Sequence, residues 1–513
     1  MTIKPQTRSI IIEIICMLFV LLFVYAAASK LMDFQQFRIE LGQSPLLTAF
    51  ADWFVVLVPL AEFIICLLLI IPKFRLIGLF SAYGIMVMFT VYIFIILQYT
   101  SFVPCSCGGV LEKLGWKEHM VFNLAFAGLG MLAIILCRQS DKLEGNALSL
   151  KATFKLILSI TAGGSAIVAI LFVFSENIVH YHNKLTRRFP HSPLSDAASA
   201  DLKLNSFYFA GADDSNLYLG NITAPLVVTT LNRDLIKSQT KMIDLDRKDL
   251  PFRGVKISVR DGFFFVTDGT VPCIFRGKIG SWKAELVYRN GEYFGTALAI
   301  DSTAVAVETY SKVNGNRILG IIKVGKKSGT ILNPEILKKQ FDGVFDTEGH
   351  LLYSEGMEKL IYLYSYRNQF SIADKGLRIV SGGTTIDTIT HAKLTIAKDE
   401  KHKQRRFSSP PFFVNKSSSV YKNILFVNSA VPGRYEDDRM WKRSSVIDVY
   451  DLASKSYLLS FTILNIEGRK MKSFLVYNDR LYALIGNQII SFRIDSQITS
   501  RYMKKNTDNL LAK

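Results

Sequence analysis

Apolar residues are concentrated in the first third of the chain, where five long stretches contain almost no charge. They cover residues 10–28, 53–71, 76–97, 119–137 and 156–174. Each stretch has the roughly 20 residues that a helix needs to cross a bilayer. Polar or turn-forming residues such as Lys30, Pro72 and Glu176 bound the stretches. The pattern predicts a four-helix transmembrane unit in residues 1–140, followed by a cytoplasmic loop and a fifth transmembrane helix in residues 141–178.

A different pattern fills the rest of the chain, where short strand-like runs alternate with turns rich in Gly, Asn and Asp. The clearest six runs begin at Asn216, Gly262, Ala304, His350, Ile424 and Arg480. Most are separated by about 40–50 residues, a period typical of β-propeller blades. The widest gap, 74 residues, holds a further run at Leu377. We predict an all-β domain over residues 204–498, a propeller of six or seven blades, with a pair of β-sandwiches as the alternative.

The ends of this domain follow from the same pattern. The run over residues 473–494 ends in alternating apolar residues, and we expect it to complete a blade that begins near Asn205 and so to close the ring. Residues 179–203 are polar and include two prolines, which predicts a periplasmic stalk near the membrane surface. Residues 499–513 are predicted to form a polar tail.

Charge is divided unevenly between the two regions. The chain has 61 Lys and Arg against 43 Asp and Glu, a net charge of +18. Residues 1–175 contribute +3 and residues 176–513 contribute +15. Together with the apolar first third, this division excludes a single soluble globule and a disordered chain.

The Lys and Arg residues of the short loops predict the orientation in the membrane. They precede the first helix or lie between helices two and three and between helices four and five. Such residues favour the cytoplasmic side, so five crossings place the β domain in the periplasm of a Gram-negative cell. We expect a multi-pass protein of the bacterial inner membrane with a cytoplasmic N-terminus. The alternative is a cleaved signal peptide ending at Ala26-Ala27-Ala28, although Glu13 interrupts its apolar core.

The positive charge of the β domain bears on the kind of partner that the domain could bind. Two charged insertions, at about residues 383–415 and 429–444, are predicted to be loops, and the first contains a basic run from Lys401 to Arg406. This run is a candidate site for an acidic partner or for lipid headgroups, with a solvated loop as the alternative. No nucleic-acid partner is expected in the periplasm. The domain sequence has no paired-carboxylate, serine-triad or metal-ligand motif.

Cys105 and Cys107 are the strongest candidates for chemistry. Six cysteines in the chain are too few for a disulfide scaffold, but this pair lies in a loop predicted to face the oxidising side, where disulfides persist. One intervening residue would close a small, strained ring, and strained disulfides are oxidising and labile. Pro104 stiffens the segment, while Gly108 and Gly109 give a partner thiol access. The pair is therefore predicted to be redox-active, with a static disulfide as the alternative.

His119 is the second candidate at this site. It follows Cys107 by twelve residues and opens the fourth predicted helix, with Asn123 one turn later on the same face. A nearby His and a helix N-terminus both favour the reactive thiolate. Two alternatives stay open: a soft-metal site formed by His119 with both cysteines, and an interfacial His119 without a chemical role.

Glu62 lies inside the second predicted helix, roughly 13 Å from its start. An ionisable group at that depth is costly and marks a functional candidate. Glu62 is predicted to relay protons or to pair with Lys30, and the alternative is a protonated carboxyl group bonded to a neighbouring helix.

The remaining cysteines are weaker candidates. Cys16, Cys66 and Cys137 lie in the cytoplasmic halves of predicted helices, where they either relay electrons or act as small apolar side chains. Cys273 has no nearby partner in sequence and is predicted to be a buried strand residue.

These features together resemble a known family, the methylamine-utilisation MauE proteins and the DoxX-like redox-associated membrane proteins. The resemblance covers about residues 8–138 and rests on Pro104-Cys105-Ser106-Cys107-Gly108-Gly109, on Trp116, His119 and Asn123, and on Ser29-Lys30-Leu31, Pro59 with Glu62, and Phe89-Thr90-Val91-Tyr92. It implies a four-helix membrane bundle that handles thiols or disulfides for a periplasmic partner. In the original case that role belongs to methylamine dehydrogenase maturation. The fifth helix and the β domain extend beyond the family unit.

Two functional hypotheses follow. In the first, the protein is an inner-membrane thiol–disulfide redox protein in which Cys105 and Cys107 exchange electrons with a periplasmic thioredoxin-like partner or client. His119 tunes the thiolate, Glu62 moves protons and the propeller docks the partner. A quinone is a candidate electron acceptor, although no quinone motif is visible. In the second, the protein is a non-enzymatic assembly or sensor protein, whose propeller binds a periplasmic or outer-membrane partner and whose cysteine pair only staples a loop.

Overall fold

The computed structural model describes residues 4–44, 46–99, 115–141, 149–190, 193–325, 329–399 and 404–503. The chain divides into two units. The first comprises Met1–His191 with Arg434–Glu436, and the second comprises Ser192–Gly433 with Asp437–Lys513.

The first unit is helical. Its described helices are α1 (Pro5–Met32), α2 (Phe34–Gln43), α3 (Ala51–Ile70), α4 (Arg75–Tyr99), α5 (Trp116–Asp141) and α6 (Leu150–Tyr181). Within the described residues, five helices are long and apolar enough to cross a membrane, and they correspond to the five predicted stretches. The sixth helix, α2, was not predicted, because it is short and contains no long apolar stretch.

Each long helix has a buried apolar face and an exposed apolar face. In α1, Phe19 and Phe23 are fully buried and stack with ring centroids 5.8 Å apart. Met17 and Leu21 on the same helix are mostly exposed. A soluble bundle would place polar residues on its outer face, whereas membrane helices remain apolar there. The exposed side chains are therefore those expected to contact lipid.

The regular secondary structure of the second unit consists almost entirely of β-strands. In the described residues they are β1 (Leu194–Asp201), β2 (Phe207–Ala212), β3 (Asn216–Asn221), β4 (Val227–Asn232), β5 (Ser238–Met242), β6 (Asp244–Leu245), β7 (Lys256–Arg260), β8 (Phe263–Asp268), β9 (Cys273–Lys278), β10 (Lys283–Arg289), β11 (Thr296–Asp301), β12 (Ala304–Tyr310), β13 (Arg317–Lys323), β14 (Gly329–Asn333), β15 (Gly349–Ser354), β16 (Lys359–Tyr364), β17 (Gln369–Asp374), β18 (Ile379–Thr384), β19 (Ile396–Asp399), β20 (Gln404–Phe407), β21 (Asn415–Tyr421), β22 (Ile424–Ser429), β23 (Ser444–Asp451), β24 (Ser456–Leu464), β25 (Met471–Tyr477), β26 (Arg480–Ile485) and β27 (Gln488–Ile494). Two short helices accompany them, α7 (Asp438–Arg443) and α8 (Ser496–Thr499).

These strands form a six-bladed propeller. The blades are the antiparallel sheets β2–β5, β7–β10, β11–β14, β15–β18, β21–β24 and β25–β27 with β1, and β6 adds a short parallel pair to the second blade. The first strands of successive blades contact one another in order, and β25 contacts β2, so the ring is closed. This confirms the predicted all-β propeller and selects six blades.

The six runs identified in the sequence fall one in each blade, on β3, β8, β12, β15, β22 and β26. The run at Leu377 does not mark a seventh blade. It leads into β18, which pairs with β17 in the same blade as the His350 run. The wide gap in the spacing comes instead from an insertion that contains the hairpin β19–β20. This insertion, predicted to be a loop, therefore contains a β-hairpin, and the second insertion contains the short helix α7.

The closing strand comes from an unexpected part of the chain. Strand β1 pairs antiparallel with β27, with Leu194 opposite Ile494 and Asp201 opposite Gln488. The C-terminal run does complete a blade with a strand from the start of the domain and closes the ring, as predicted. The blade does not begin near Asn205, however, because β2 starts a separate blade. Residues 194–201, assigned in the sequence to the stalk, are the strand that completes the last blade.

Apolar side chains fill the spaces between adjacent blades. Between the first two blades, Phe264 and Phe275 are fully buried, and the Phe264 ring lies 5.1 Å from that of Trp282. Burial of one such side chain contributes about 1.5–3 kcal/mol. Cys273 belongs to the same core and is buried at the start of β9, which confirms its prediction.

Candidate functional site

The helical unit has a cavity of about 1160 Å³, bordered by residues from all six of its described helices. Most of the lining side chains are apolar. The polar and aromatic lining residues include Lys30, Glu62, Tyr92, Trp116, His119 and Asn123. Residues that the sequence singled out on four separate helices therefore border one cavity.

Lys30 and Glu62 form an ion pair at this cavity. Lys30 lies in the last turn of α1 and Glu62 in the middle of α3, and Lys30 Nζ is 2.5 Å from Glu62 Oε1. The side chains are 13% and 1% exposed. The second carboxyl oxygen, Glu62 Oε2, is buried and has no hydrogen-bond partner among the described residues. The pair can therefore hold a proton or bond a further polar group at Oε2.

The first two turns of α5 provide the second polar group of the cavity. Trp116, His119 and Asn123 are spaced three and four residues apart, which places them on one helix face, and all three line the cavity. The rings of Trp116 and His119 meet edge to face with centroids 6.2 Å apart. The helical spacing thus turns the imidazole and the amide towards the space that Glu62 also borders.

The cysteine pair lies outside the described residues, together with Pro104, Ser106, Gly108 and Gly109. The helices on either side of this segment are described: α4 ends at Tyr99 and α5 begins at Trp116. Cys105 follows Tyr99 by six residues, so the extended chain limits their separation to about 20 Å. Trp116 itself lines the cavity. In the sequence, the candidate thiols therefore lie between the end of α4 and the start of α5, which carries Trp116 and His119.

The sequence gives no sign of two polar contacts that hold this helical unit together. The hydroxyl groups of Ser44 and Tyr92 are 2.8 Å apart, and those of Tyr83 and Thr161 are also 2.8 Å apart. Tyr92 belongs to the stretch that carried the family resemblance, but its partner lies 48 residues away. The first contact fixes a cavity-lining ring, and the second ties α4 to α6.

The other cysteines of the helical unit are part of its packing. Cys16 and Cys66 are buried in the apolar core with Phe19 and Leu69, and Cys66 Sγ lies 3.7 Å from the carbonyl oxygen of Val20. Both are free thiols. These surroundings are those of small apolar side chains.

In the β unit, burial raises the pKa of the Cys273 thiol to about 11. A thiol with that pKa is almost entirely protonated near neutral pH and is a poor nucleophile. Cys273 is therefore a packing residue of its blade.

The basic run in the first insertion is only partly described. Its residues 401–403 lie outside the described residues, whereas Arg405 and Arg406 belong to β20. Arg405 Nη1 is 2.5 Å from Asp342 Oδ2, so one of the basic side chains is already paired. Over the described ranges of the whole chain, no group of three or more His, Cys, Asp and Glu side chains is arranged to hold a metal ion.

Comparison with solved structures gives only remote similarities. Streptogramin B lyase is 8% identical with a TM-score of 0.35, and the alignment covers 59% of this chain and 98% of that chain. A Bacteroides fragilis protein is 9% identical with a TM-score of 0.39, and covers 61% and 98% respectively. No curated protein matches the chain.

The helical region has a family match. Residues 8–136 match the family model of methylamine utilisation protein MauE. The match spans α1 to most of α5, so it includes Lys30, Glu62, Trp116, His119 and Asn123 and also the Cys105–Cys107 segment. It ends before α6 and the propeller. The chain is thus a membrane protein whose N-terminal helical region matches the methylamine-utilisation MauE family and whose C-terminal region is a six-bladed β-propeller.

Proposed function

We propose that the protein is a thiol–disulfide redox protein of the bacterial inner membrane, with Cys105 and Cys107 as its exchanging pair. The main support is the convergence of Lys30, Glu62 and His119 on one cavity, next to the helix ends that hold the cysteine segment. The MauE match covers all of these residues.

The chemistry is a dithiol–disulfide exchange with a periplasmic client or thioredoxin-like partner. A client thiolate attacks the Cys107 sulfur, the Cys105–Cys107 bond breaks, and a mixed disulfide forms between the client and Cys107. The second client thiolate then attacks the client sulfur of that bond. The client leaves as a disulfide, and Cys105 and Cys107 remain as a dithiol that holds the two electrons.

His119 and Glu62 serve this exchange through protons. Cys105 and Cys107 take up two protons when the client reduces them and lose two when they are reoxidised. The His119 imidazole lies at the start of α5 and borders the cavity, where it can accept or donate a proton. The buried Glu62 carboxyl group, with Oε2 directed to no described partner, can carry a proton within the cavity.

The propeller has the role of docking module in this proposal. The positive-inside distribution of Lys and Arg supports a cytoplasmic N-terminus and a periplasmic β domain. In this arrangement residues 1–140 form the redox unit and residues 141–178 the loop and fifth helix. The propeller then faces the same compartment as the cysteine pair, where it binds the client or partner.

A Cys105→Ser variant tests the proposed function, with Cys273→Ser as the matched control because that thiol is buried in the β unit. We expect normal protein levels and loss of client oxidation, because the variant cannot form the Cys105–Cys107 bond. A mixed disulfide through Cys107 is expected when its thiolate attacks the disulfide of an oxidised client and releases one client thiolate. The control keeps its activity. Full activity in Cys105→Ser would overturn the redox role and leave the assembly or sensor protein as the better hypothesis.

A further inference from the structure

We infer that the cavity of the helical unit is a binding site for a membrane-soluble quinone. Binding of the quinone is argued from the cavity alone. Its use as the electron acceptor of the cysteine pair rests on the proposed function.

The cavity extends to the lipid-facing surface of the helices. Its lining includes Leu21, Leu57 and Ile77, which are 71%, 48% and 57% exposed. These side chains come from α1, α3 and α4, and they are apolar residues on the outer faces of apolar helices. A ligand dissolved in the hydrocarbon of the bilayer can therefore reach the cavity sideways, whereas a charged metabolite would have to leave water to do so.

The size and lining of the cavity fit a molecule with a ring and an apolar tail. Ligand pockets commonly measure about 300–1,000 Å³ and combine apolar walls with a few placed polar groups. This cavity has about 1160 Å³ and aromatic walls that include Phe80, Phe89 and Phe126. Its polar groups are the Lys30–Glu62 ion pair, Tyr92 in the second half of α4, and His119 and Asn123 in the first turns of α5.

The charges favour a neutral headgroup. Lys30 and Glu62 offset each other, so an anionic or cationic headgroup would add an uncompensated charge to a largely apolar space. Quinone carbonyl oxygens are neutral hydrogen-bond acceptors, and the Asn123 amide is a donor at the cavity wall.

The electron balance closes with a quinone and no other reactant. Cys105–SH and Cys107–SH form one S–S bond and release two electrons and two protons. The quinone takes up the two electrons and the two protons and becomes a quinol. Glu62 and His119 are the ionisable side chains placed to pass those protons to the headgroup.

The test uses the full-length protein in lipid nanodiscs and a photoreactive azido-benzoquinone with a ten-carbon tail. Labelled peptides are mapped by mass spectrometry, with unlabelled decyl-benzoquinone as competitor. Ala61→Phe fills the cavity beside Glu62, and the milder Ala61→Leu guards against misfolding. Val56→Phe is the matched control, because Val56 is exposed on the same helix and is not among the cavity-lining residues.

We expect labelling of cavity-lining peptides that the competitor suppresses, at least a tenfold loss in Ala61→Phe, a smaller loss in Ala61→Leu, and no change in Val56→Phe. Equal labelling of all variants, or equal competition by a phospholipid of the same chain length, would overturn the quinone site.

The Cys105→Ser variant separates this inference from the proposed function. Retained labelling with lost client oxidation supports both. Retained labelling with normal client oxidation refutes the redox role but not the quinone site. Labelling that is insensitive to Ala61→Phe, with Cys105→Ser inactive, refutes the quinone site alone.

Discussion

Lys30 Nζ and Glu62 Oε1 lie 2.5 Å apart, joining two helices that the sequence separates by a short helix and a loop. Each side chain alone would be an expensive charge in an apolar helix. Together they form a neutral pair at the wall of the cavity. This pair is the best-defined part of the candidate site, and two predictions depend on it.

The first prediction concerns stability. In Lys30→Met the Glu62 carboxylate loses its counter-charge while it remains buried. Removing one partner of a buried pair typically costs about 3–5 kcal/mol, so we expect a clearly lower unfolding midpoint in detergent. The double variant Lys30→Met with Glu62→Gln removes both charges and should recover much of the loss. A double variant as unstable as Lys30→Met would show that the ion pair does not account for the effect.

The second prediction concerns catalysis. Glu62→Gln keeps the shape of the side chain but cannot carry a proton. If Glu62 passes protons during reoxidation of the dithiol, turnover should fall by about 10²- to 10⁴-fold. Formation of the mixed disulfide with the client should continue, because the client thiolate attacks the Cys107 sulfur without a proton transfer in that step. Stopped-flow measurement of both steps separates them, and equal slowing of the two would contradict the assignment.

The third prediction concerns the propeller, where Asp268 ends β8. Its carboxylate accepts hydrogen bonds from the backbone N–H groups of Arg253, Gly254, Thr270 and Val271 and from the Thr270 hydroxyl group. Burial opposes the charged form, but these bonds outweigh it and hold the pKa of Asp268 below its usual value. The ionised carboxylate therefore stabilises the folded protein above the unfolded pKa near 3.9, and that contribution is lost as pH falls through the lower folded pKa.

We expect Asp268→Asn to lower the free energy of unfolding by about 1–3 kcal/mol at neutral pH, because an amide nitrogen replaces an acceptor. The deficit relative to the wild type should shrink as the pH falls below about 4. Thermal unfolding of the full-length protein between pH 3 and 7 measures both effects. Asp249→Asn is the control, since its ion pair with Arg247 is exposed and worth little. An equal loss in the control would refute the special role of Asp268.

The architecture was predictable to the extent that it depends on burial along the chain. Five stretches are long and apolar because a bilayer requires it. One strand-like run falls in each blade because each blade has a buried, strongly apolar strand. The run lies on the second strand of its blade in five cases and on the first in the blade that begins with β15. The closing strand β1 was not predicted. It lies at the edge of its sheet and its residues are exposed or half-buried, so its sequence has few apolar residues to mark it as a strand.

The candidate site was predictable by residue type but not by geometry. Glu62 and Lys30 stand out because charge is costly in an apolar helix, and the structure shows them paired. By contrast, the contact between Ser44 and Tyr92 has no local signal, because it joins residues 48 positions apart. The cavity itself depends on the packing of six helices, which no single stretch of sequence encodes.

The central claim is that Cys105 and Cys107 form a redox-active pair, and a thiol-trapping titration tests it most directly. The full-length protein in membranes is equilibrated with redox buffers of defined potential and alkylated with a mass-tagged maleimide. Cys105→Ser is the control, because it leaves Cys107 without its partner thiol and keeps the other four cysteines. We predict a two-electron transition at a potential above about −300 mV, in the range of catalytic rather than structural disulfides. A pair that remains oxidised below about −300 mV would be a structural bridge and would contradict the proposed function.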